Sequence, residues 1–425
     1  MKNLTLPLLT ALGLAISTAA TAATIDEAAV KRGEYLARAG DCMACHTAKG
    51  GKPYAGGLGL ETPIGAVYAT NITPDHAHGI GDYTLEDFDK AVRHGIRKDG
   101  STLYPAMPYP SYAKVTDQDI ADLYAYFMKG VQPVAEANRD SDIPWPMSMR
   151  WPLAFWRWTF APEVATDAGS TPDPQLERGR YLVNGLGHCG SCHTPRGIGM
   201  QEKSLSDSDG EHFLAGGAPL EGWVAKNLRG DAHDGLGSWS TEELAQFLKT
   251  GRTERTAVFG SMTDVIQHSM QHLTDADRLA IASYLKSLPA ANPQAATAKA
   301  TASNTTQQLS NMDVSTPGAR TYIDNCMACH RSDGRGYAEV FPALGGNPVL
   351  NGKEPASLIH IVLAGGYLPG NQHAPTGYGM PGFAWRLSDQ EVAEVVSFIR
   401  AGWGNSGAAV SASDVAAQRK ALGSH

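Results

Sequence analysis

"CMACH" at residues 42–46 returns unchanged at residues 326–330 and as "CGSCH" at residues 189–193, and these three frames hold all six cysteines of the 425-residue chain. Six cysteines in an exported chain would first suggest three disulfides. Their placement argues for a different chemistry. In C-x-x-C-H, two thiols three positions apart on a helical turn are spaced to bond to the two vinyl groups of one haem, and the next residue, histidine, lies beneath the iron as its proximal ligand. A single frame also fits a zinc half-site or a redox dithiol. Three frames with no cysteine left over do not, because zinc ribbons bring C-x-x-C pairs together in even number. The frames therefore predict three covalent haem c groups, held by Cys42 and Cys45, by Cys189 and Cys192, and by Cys326 and Cys329, with His46, His193 and His330 as proximal ligands.

Outward from each frame the same plan repeats. A short helical pattern with Gly and an aromatic precedes it: "RGEYLARAGDC" from Arg32, "RGRYLVNGLGHC" from Arg178 and "GARTYIDNC" from Gly318. A capped helix closes each unit: "TDQDIADLYAYFMKG" from Thr116, "TDADRLAIASYLKSL" from Thr274 and "SDQEVAEVVSFIRAG" from Ser388. Ser or Thr at the N-cap with an acid three positions on is a capping-box pattern, which satisfies free backbone N–H groups and suits the helix dipole. Apolar residues at helical spacing follow, such as Ile120, Leu123 and Phe127 in the first unit, and these are core stripes. The prediction is an all-α fold of three tandem c-type cytochrome domains, at residues 24–135, 173–289 and 317–404.

The connections differ in character. Residues 290–316 are poor in large apolar side chains and read as a flexible linker. Residues 136–172 hold four of the eight tryptophans, Trp145, Trp151, Trp156 and Trp158, within fourteen positions. A solvated linker would not carry that apolar load, so the segment must pack between the first two domains or form a docking surface for a partner subunit or the membrane interface. The tail, 405–425, has the pattern of one short helix from about Ser413, too polar to anchor by itself.

Residues 1–22 combine Lys2, an apolar run from Leu4 to Ile16 and the A-x-A pair Ala20 and Ala22, the pattern of a secretory signal peptide cleaved at about Ala22 or Ala23. No later segment approaches the roughly 20 apolar residues of a membrane helix. A charged fraction of 18% with formal net charge −8 excludes a nucleic-acid partner, whose phosphates call for a basic surface.

A histidine-ligated iron keeps its other face open for oxygen or peroxide chemistry, or closes it with a second side chain for electron transfer, for which methionine is a common choice. "LYPAMPYPSY" offers Met107 and "TGYGMPGFAW" offers Met380, each followed by proline ahead of a capped helix. The second unit has no Met-Pro, and "AVFGSMTDVIQHSMQHLTDAD" offers two methionines. Asn71 with Asn227, Gly79 with Gly235 and Gly95 with Gly251 each differ by 156, a register that puts Met262 within one position of Met107 and leaves Met270 seven away. Met262 is thus the expected ligand, in a loop like the others, and Met270 a packing residue in a segment of helical character. His268 and His272, without a third ligand, read as surface residues, as do His76, His78 and His94.

With these residues in view the chain resembles, over nearly its whole mature length, the tri-haem cytochrome c subunits of membrane-bound bacterial alcohol, gluconate, sorbitol and fructose dehydrogenases. The matching motifs are the three C-x-x-C-H frames, "GGKPYAGG", "NITPD…GIG", "LYPAMPYPSY", "WPLAFWRW" and "GYGMPGFAW". The resemblance implies a periplasmic electron-transfer subunit at the outer face of the cytoplasmic membrane, which does no substrate chemistry itself. It would take electrons from a dehydrogenase catalytic subunit holding PQQ or flavin and pass them to ubiquinone, with ligand pairs His46 with Met107, His193 with Met262 and His330 with Met380. Some members attach to the membrane through a C-terminal region, whereas only "NSGAAVSASDVAAQRKALGSH" follows "GWG" here. Readings of another class are a haem enzyme with an open iron, against which the three methionines argue, and a free periplasmic shuttle to a terminal oxidase.

Overall fold

The computed structural model describes residues 26–164, 172–220, 222–293 and 303–423. The signal-peptide reading lies outside the described residues, as do 165–171 of the connector and 294–302 of the linker. The first unit contains helices α1 (Glu27–Ala39), α2 (Leu85–His94) and α3 (Asp117–Ala125), the last prolonged by a π-helical turn at Tyr126–Gly130. A connector helix α4 (Trp151–Phe160) leads to the second unit. There α5 (Pro174–Tyr181) runs into a π-helical turn at Leu182–Leu186, followed by α6 (Thr241–Thr250), α7 (Met262–His268) and α8 (Asp275–Ser287). The third unit holds α9 (Thr305–Ser310), α10 (Ala319–Asn325), α11 (Ala356–Ala364) and α12 (Asp389–Ala401), and the tail forms α13 (Ala412–Leu422).

In the first two units the opening helix crosses the closing helix at an Arg-Gly pair. A Cβ on Gly33 would stand 2.0 Å from the Asp122 carbonyl oxygen, and one on Gly179 would stand 2.0 Å from that of Ala280, so only glycine lets the backbones touch. The preceding arginine locks each crossing. The Arg32 guanidinium donates twice to the Asp122 carboxylate, at 2.7 and 2.9 Å, and Arg178 donates twice to Asp277, at 2.8 Å each.

Two details depart from the all-α, capping-box expectation. Each unit carries a two-stranded antiparallel hairpin: β1 (Gly59–Thr62) with β2 (Gly65–Tyr68), β3 (Pro219–Leu220) with β4 (Trp223–Val224), and β5 (Gly366–Leu368) with β6 (Tyr378–Met380). These strands are two to four residues long, too short for alternation to be read from sequence. The closing helices are N-capped by Thr116, Thr274 and Ser388 as predicted, but the reciprocal half of the box forms at Ser388, where the Ser388 N–H donates to Glu391 at 2.9 Å. In the first two units the cap backbone and its acid are used across the unit boundary. The Tyr35 hydroxyl donates to Asp277 at 2.6 Å and accepts from the Thr274 N–H at 3.1 Å, while the Tyr181 hydroxyl donates to Asp119 and accepts from the Thr116 N–H at 3.4 Å. Each unit thus completes the helix start of the other.

The cores follow this pairing. One apolar cluster runs through both of the first two units and includes Leu36, Phe127, Leu182, Leu186, Ile266 and Ile281. The third unit has its own, built on Tyr322, Leu363, Val392, Val395 and Val396. It docks on the second through apolar and polar contacts: Leu368 joins the core of the first two units, Trp223 and Phe259 pack on the third core, with Trp223 4.1 Å from His360, centroid to centroid, and the buried Arg252 guanidinium donates to the carbonyls of Glu339, Ala374 and Thr376.

The expected flexible linker is corrected over its second half. Residues 303–316 include α9, whose Leu309 is buried in the third core and whose Thr305 is also buried, and the Ser303 hydroxyl accepts from the Trp403 N–H at 3.1 Å. The anchoring comes from the few residues that reach the third unit, Leu309 in its core and Ser303 and Thr305 beside it, and not from the polar composition between them. The tail helix starts close to the expected position, after a capping box at Ser411. It lays Val415 on the same core and is tied by Arg419 to Asp389 at 2.7 Å.

Candidate functional site

The three C-x-x-C-H frames each form a short helical turn, at Cys42–Cys45, Gly190–His193 and Met327–His330, and face one continuous cavity of about 1590 Å³. Drug-sized ligand pockets span roughly 300–1,000 Å³, so this space suits more than one group. Its wall includes Cys42, Cys45, His46 and Met107 from the first unit, Cys189, Cys192, His193 and Met262 from the second, and Cys326, His330 and Met380 from the third. Cys329, the remaining thiol of the third frame, is half-buried beside them. No disulfide joins any of the six.

The histidines share one anchoring device. His46 Nδ1 lies 2.6 Å from the Thr70 carbonyl oxygen, His193 Nδ1 lies 2.7 Å from that of Lys226, and His330 Nδ1 lies 3.0 Å from that of Pro342. A carbonyl can only accept, so Nδ1 carries the proton and Nε2 keeps its lone pair toward the cavity. Burial lowers the pKa of all three rings, while the carbonyl bond opposes that shift. The imidazoles are therefore neutral, which is the form that binds a metal. This is the outer-shell arrangement that fixes ring orientation and tautomer of a ligating histidine.

Sequence reading did not identify the carbonyl partners. A backbone acceptor has no residue signature, yet Thr70 and Lys226 stand 156 apart, the register of the asparagines beside them. Those asparagines hold the turn that aims the carbonyl: Asn71 Oδ1 accepts from the Thr73 N–H and Asn227 Oδ1 from the Arg229 N–H, both at 2.9 Å. Asn71 and Asn227 are positioning residues, read from sequence as register marks alone.

The methionines are presented by three different local structures. Met107 sits in a bend before Pro108, its N–H donating to the Tyr104 carbonyl at 3.1 Å. Met380 ends strand β6 opposite Gly366. Met262 is the first residue of α7, not a loop residue. Without a following proline nothing stops the helix from starting there, and Ser261 occupies its N-cap position. Met270 also reaches the cavity wall, but it is 5% exposed, lies in the 3₁₀ turn Met270–His272 and belongs to the core shared by the first two units.

Burial pushes the thiols up, to about 12 for Cys42, Cys189 and Cys326 and about 11 for Cys45. In the chain without a bound group these four are S–H groups and not thiolates. His272 Nε2 lies 3.1 Å from the Gln267 carbonyl, and among the described residues no group of three or more His, Cys, Asp or Glu is placed to hold a metal ion. A neutral, oriented imidazole, neighbouring thiols and a thioether on one apolar wall, repeated in each unit, is a donor set that fits a covalently held haem.

The cytochrome c family model matches residues 30–130, 176–289 and 315–403. The chain is 58% identical over 417 residues to the gluconate 2-dehydrogenase cytochrome c subunit of Pantoea cypripedii, covering 96% of this chain and 94% of that one. It is 53% identical over 399 residues to the cytochrome c subunit of the quinone alcohol dehydrogenase of Gluconobacter oxydans, covering 93% and 83%. With the fructose dehydrogenase cytochrome subunit of Gluconobacter japonicus it shares 39% over 412 residues, covering 93% and 83%.

Proposed function

This chain belongs to the cytochrome c family, and from that premise we propose that it is the electron-transfer subunit of a dehydrogenase complex, carrying three haem c groups. In this reading it accepts electrons from a periplasmic catalytic subunit with PQQ or flavin that oxidises an alcohol, gluconate or a sugar. It delivers them to ubiquinone at the outer face of the cytoplasmic membrane. The names of the gluconate, alcohol and fructose dehydrogenase cytochrome subunits support the partner class. The signal-peptide pattern of residues 1–22 supports export.

The observation that carries the reading is the thrice-repeated imidazole anchored by a backbone carbonyl on the wall of one shared cavity. Bound haem supplies reversible one-electron storage at iron. The chain's own residues attach, orient and shield. Cys42 and Cys45, Cys189 and Cys192, and Cys326 and Cys329 attach; His46, His193 and His330 present Nε2 at a fixed angle. Met107, Met262 and Met380, on the same cavity wall, would supply each bound group with its second ligand and so leave no coordination position for a small molecule. Tyr112, Leu123, Phe127, Leu186, Ile281 and Leu285 on the cavity wall keep water out. A site built this way changes its charge with little rearrangement around it.

Native purification of the exported full chain together with its catalytic subunit tests the reading. Three haems per chain by pyridine haemochrome and substrate-dependent reduction of a short-chain ubiquinone are expected. A chain that purifies alone, with neither dehydrogenase nor quinone-reductase activity, would make it a free shuttle.

A further inference from the structure

Helix α4 is amphipathic in the wrong direction for a solvated surface helix. Trp151, Phe155 and Trp158, spaced i, i+4 and i+7 on one face, are 73%, 65% and 78% exposed. The opposite face does the packing: the Trp156 indole N–H donates to the Gly199 carbonyl at 2.7 Å, and its ring meets Tyr109 and Phe160. The helix is therefore fixed to both of the first two units while its most apolar side points away from the protein. The exposed surface extends beyond it. Trp145 precedes the helix at 80% exposure, and the loop held by Trp156 thrusts out a fully exposed Ile198.

We propose that this face is where the chain lies on a phospholipid bilayer, with the tryptophan rings at the headgroup–acyl boundary. The proposal rests on the reading above of a membrane-side electron-transfer subunit and names the surface that reading leaves open. Charge selects the occupant. Residues 143–162 contain Arg150 and Arg157 and no carboxylate, with Asp142 and Glu163 just beyond the two ends, so between those ends the strip is aromatic and cationic on a chain whose formal net charge is −8. Anionic lipid attracts such a strip and repels most of the remaining surface. Tryptophan is the residue that settles at membrane interfaces, where its ring is apolar and its N–H stays hydrated. Shape agrees, because the exposed side chains come from three places, the segment before α4, the helix itself, where the Phe155 and Trp158 rings lie 5.7 Å apart, and a neighbouring loop. A fluid surface accepts such protrusions without matched pockets. At ten residues α4 is far too short to span, and no helix among the described residues is long and apolar enough to cross a membrane, so the contact is one of lying on the surface.

Flotation of the haem-loaded full chain with vesicles of two parts phosphatidylethanolamine to one part phosphatidylglycerol tests this. The wild type floats. The variant Trp151→Glu/Phe155→Glu/Trp158→Glu keeps the wild-type visible spectrum and loses vesicle binding by about tenfold or more. Trp385→Glu, at an exposed tryptophan of the third unit, floats like the wild type. If the triple variant fails to load haem, Trp158→Ser alone is expected to weaken binding by about threefold. Equal flotation of wild type and triple variant overturns the proposal. So does a wild type that stays out of the lipid fraction while the triple variant loses its catalytic subunit, which would make the face a protein interface. The two readings fail separately: substrate-dependent quinone reduction in detergent without flotation sinks the lipid face alone, and flotation through this face without quinone reduction sinks the electron-transfer reading alone.

Discussion

A histidine in C-x-x-C-H is a ligand in waiting; what prepares it here is the carbonyl behind it. Thr70, Lys226 and Pro342 differ in side chain and stand 24, 33 and 12 residues after their histidines, so they share no residue signature or spacing in the sequence. The same scale holds the choice between Met262 and Met270. Both touch the cavity, yet Met262 stands half-buried at a helix start and Met270 fills the core between the first two units. Met262→Ala is expected to remove one methionine-to-iron band from the oxidised spectrum and let cyanide bind at one haem. Met270→Ala should leave the spectrum intact and cost about 2–4 kcal/mol of stability, as truncation of a buried methionine does. Visible spectroscopy and denaturant titration read the two effects apart, and a reversed outcome would transfer the ligand role to Met270.

At the scale of elements, the caps of α3 and α8 were legible and their second use was not. The acid three positions after the cap was expected to fold back on its own helix; a tyrosine from the other unit takes it instead. Tyrosine wins because it satisfies the carboxylate and the cap N–H together while burying its ring. Asp277 carries a pH consequence. Burial alone would push its carboxyl up, but bonds from Arg178 and Tyr35 outweigh that and hold it below the usual range. Its contribution to stability is therefore complete above the ordinary carboxyl pKa of about 4 and disappears as pH falls through the depressed folded value. Asp277→Asn should lower stability at neutral pH by about 1–3 kcal/mol. It should also flatten the loss of stability seen below about pH 4. Chemical denaturation across pH measures both. An unchanged acid limb would show that the exchanged cap does not hold the units together.

Across the whole molecule, the first two units share a core, and the third keeps its own while joining theirs through Leu368 and a set of polar contacts. Arg252 is chief among them: buried, it donates to three carbonyls of the third unit and lies 5.0 Å from the Tyr378 ring centroid. Two of those carbonyls, Ala374 and Thr376, belong to the turn that leads into Met380. Arg252→Ala leaves the carbonyls unpaired and is expected to cost about 2–4 kcal/mol. Amide hydrogen exchange should show residues 366–380 losing protection while α1 and α3 keep theirs. Uniform loss across all three units would mean that they unfold as one. The connector belongs to this scale too. Its tryptophans were expected either to pack between the first two domains or to form a docking surface, and the structure divides them: Trp156 packs, while Trp145, Trp151 and Trp158 stay exposed.

The chain alone specified what is local or repeated: three C-x-x-C-H frames and three N-caps, each set by residues within about a turn of one another, and the 156-residue register that singles out Met262, read by laying the first unit over the second. Folding settled whatever depends on meeting a distant partner. Which carbonyl orients each imidazole, which unit completes which helix cap, whether a polar linker is pinned by one leucine and which side of a tryptophan helix faces out are questions of burial and backbone pairing across tens to hundreds of residues, for which the sequence carries no periodic signal.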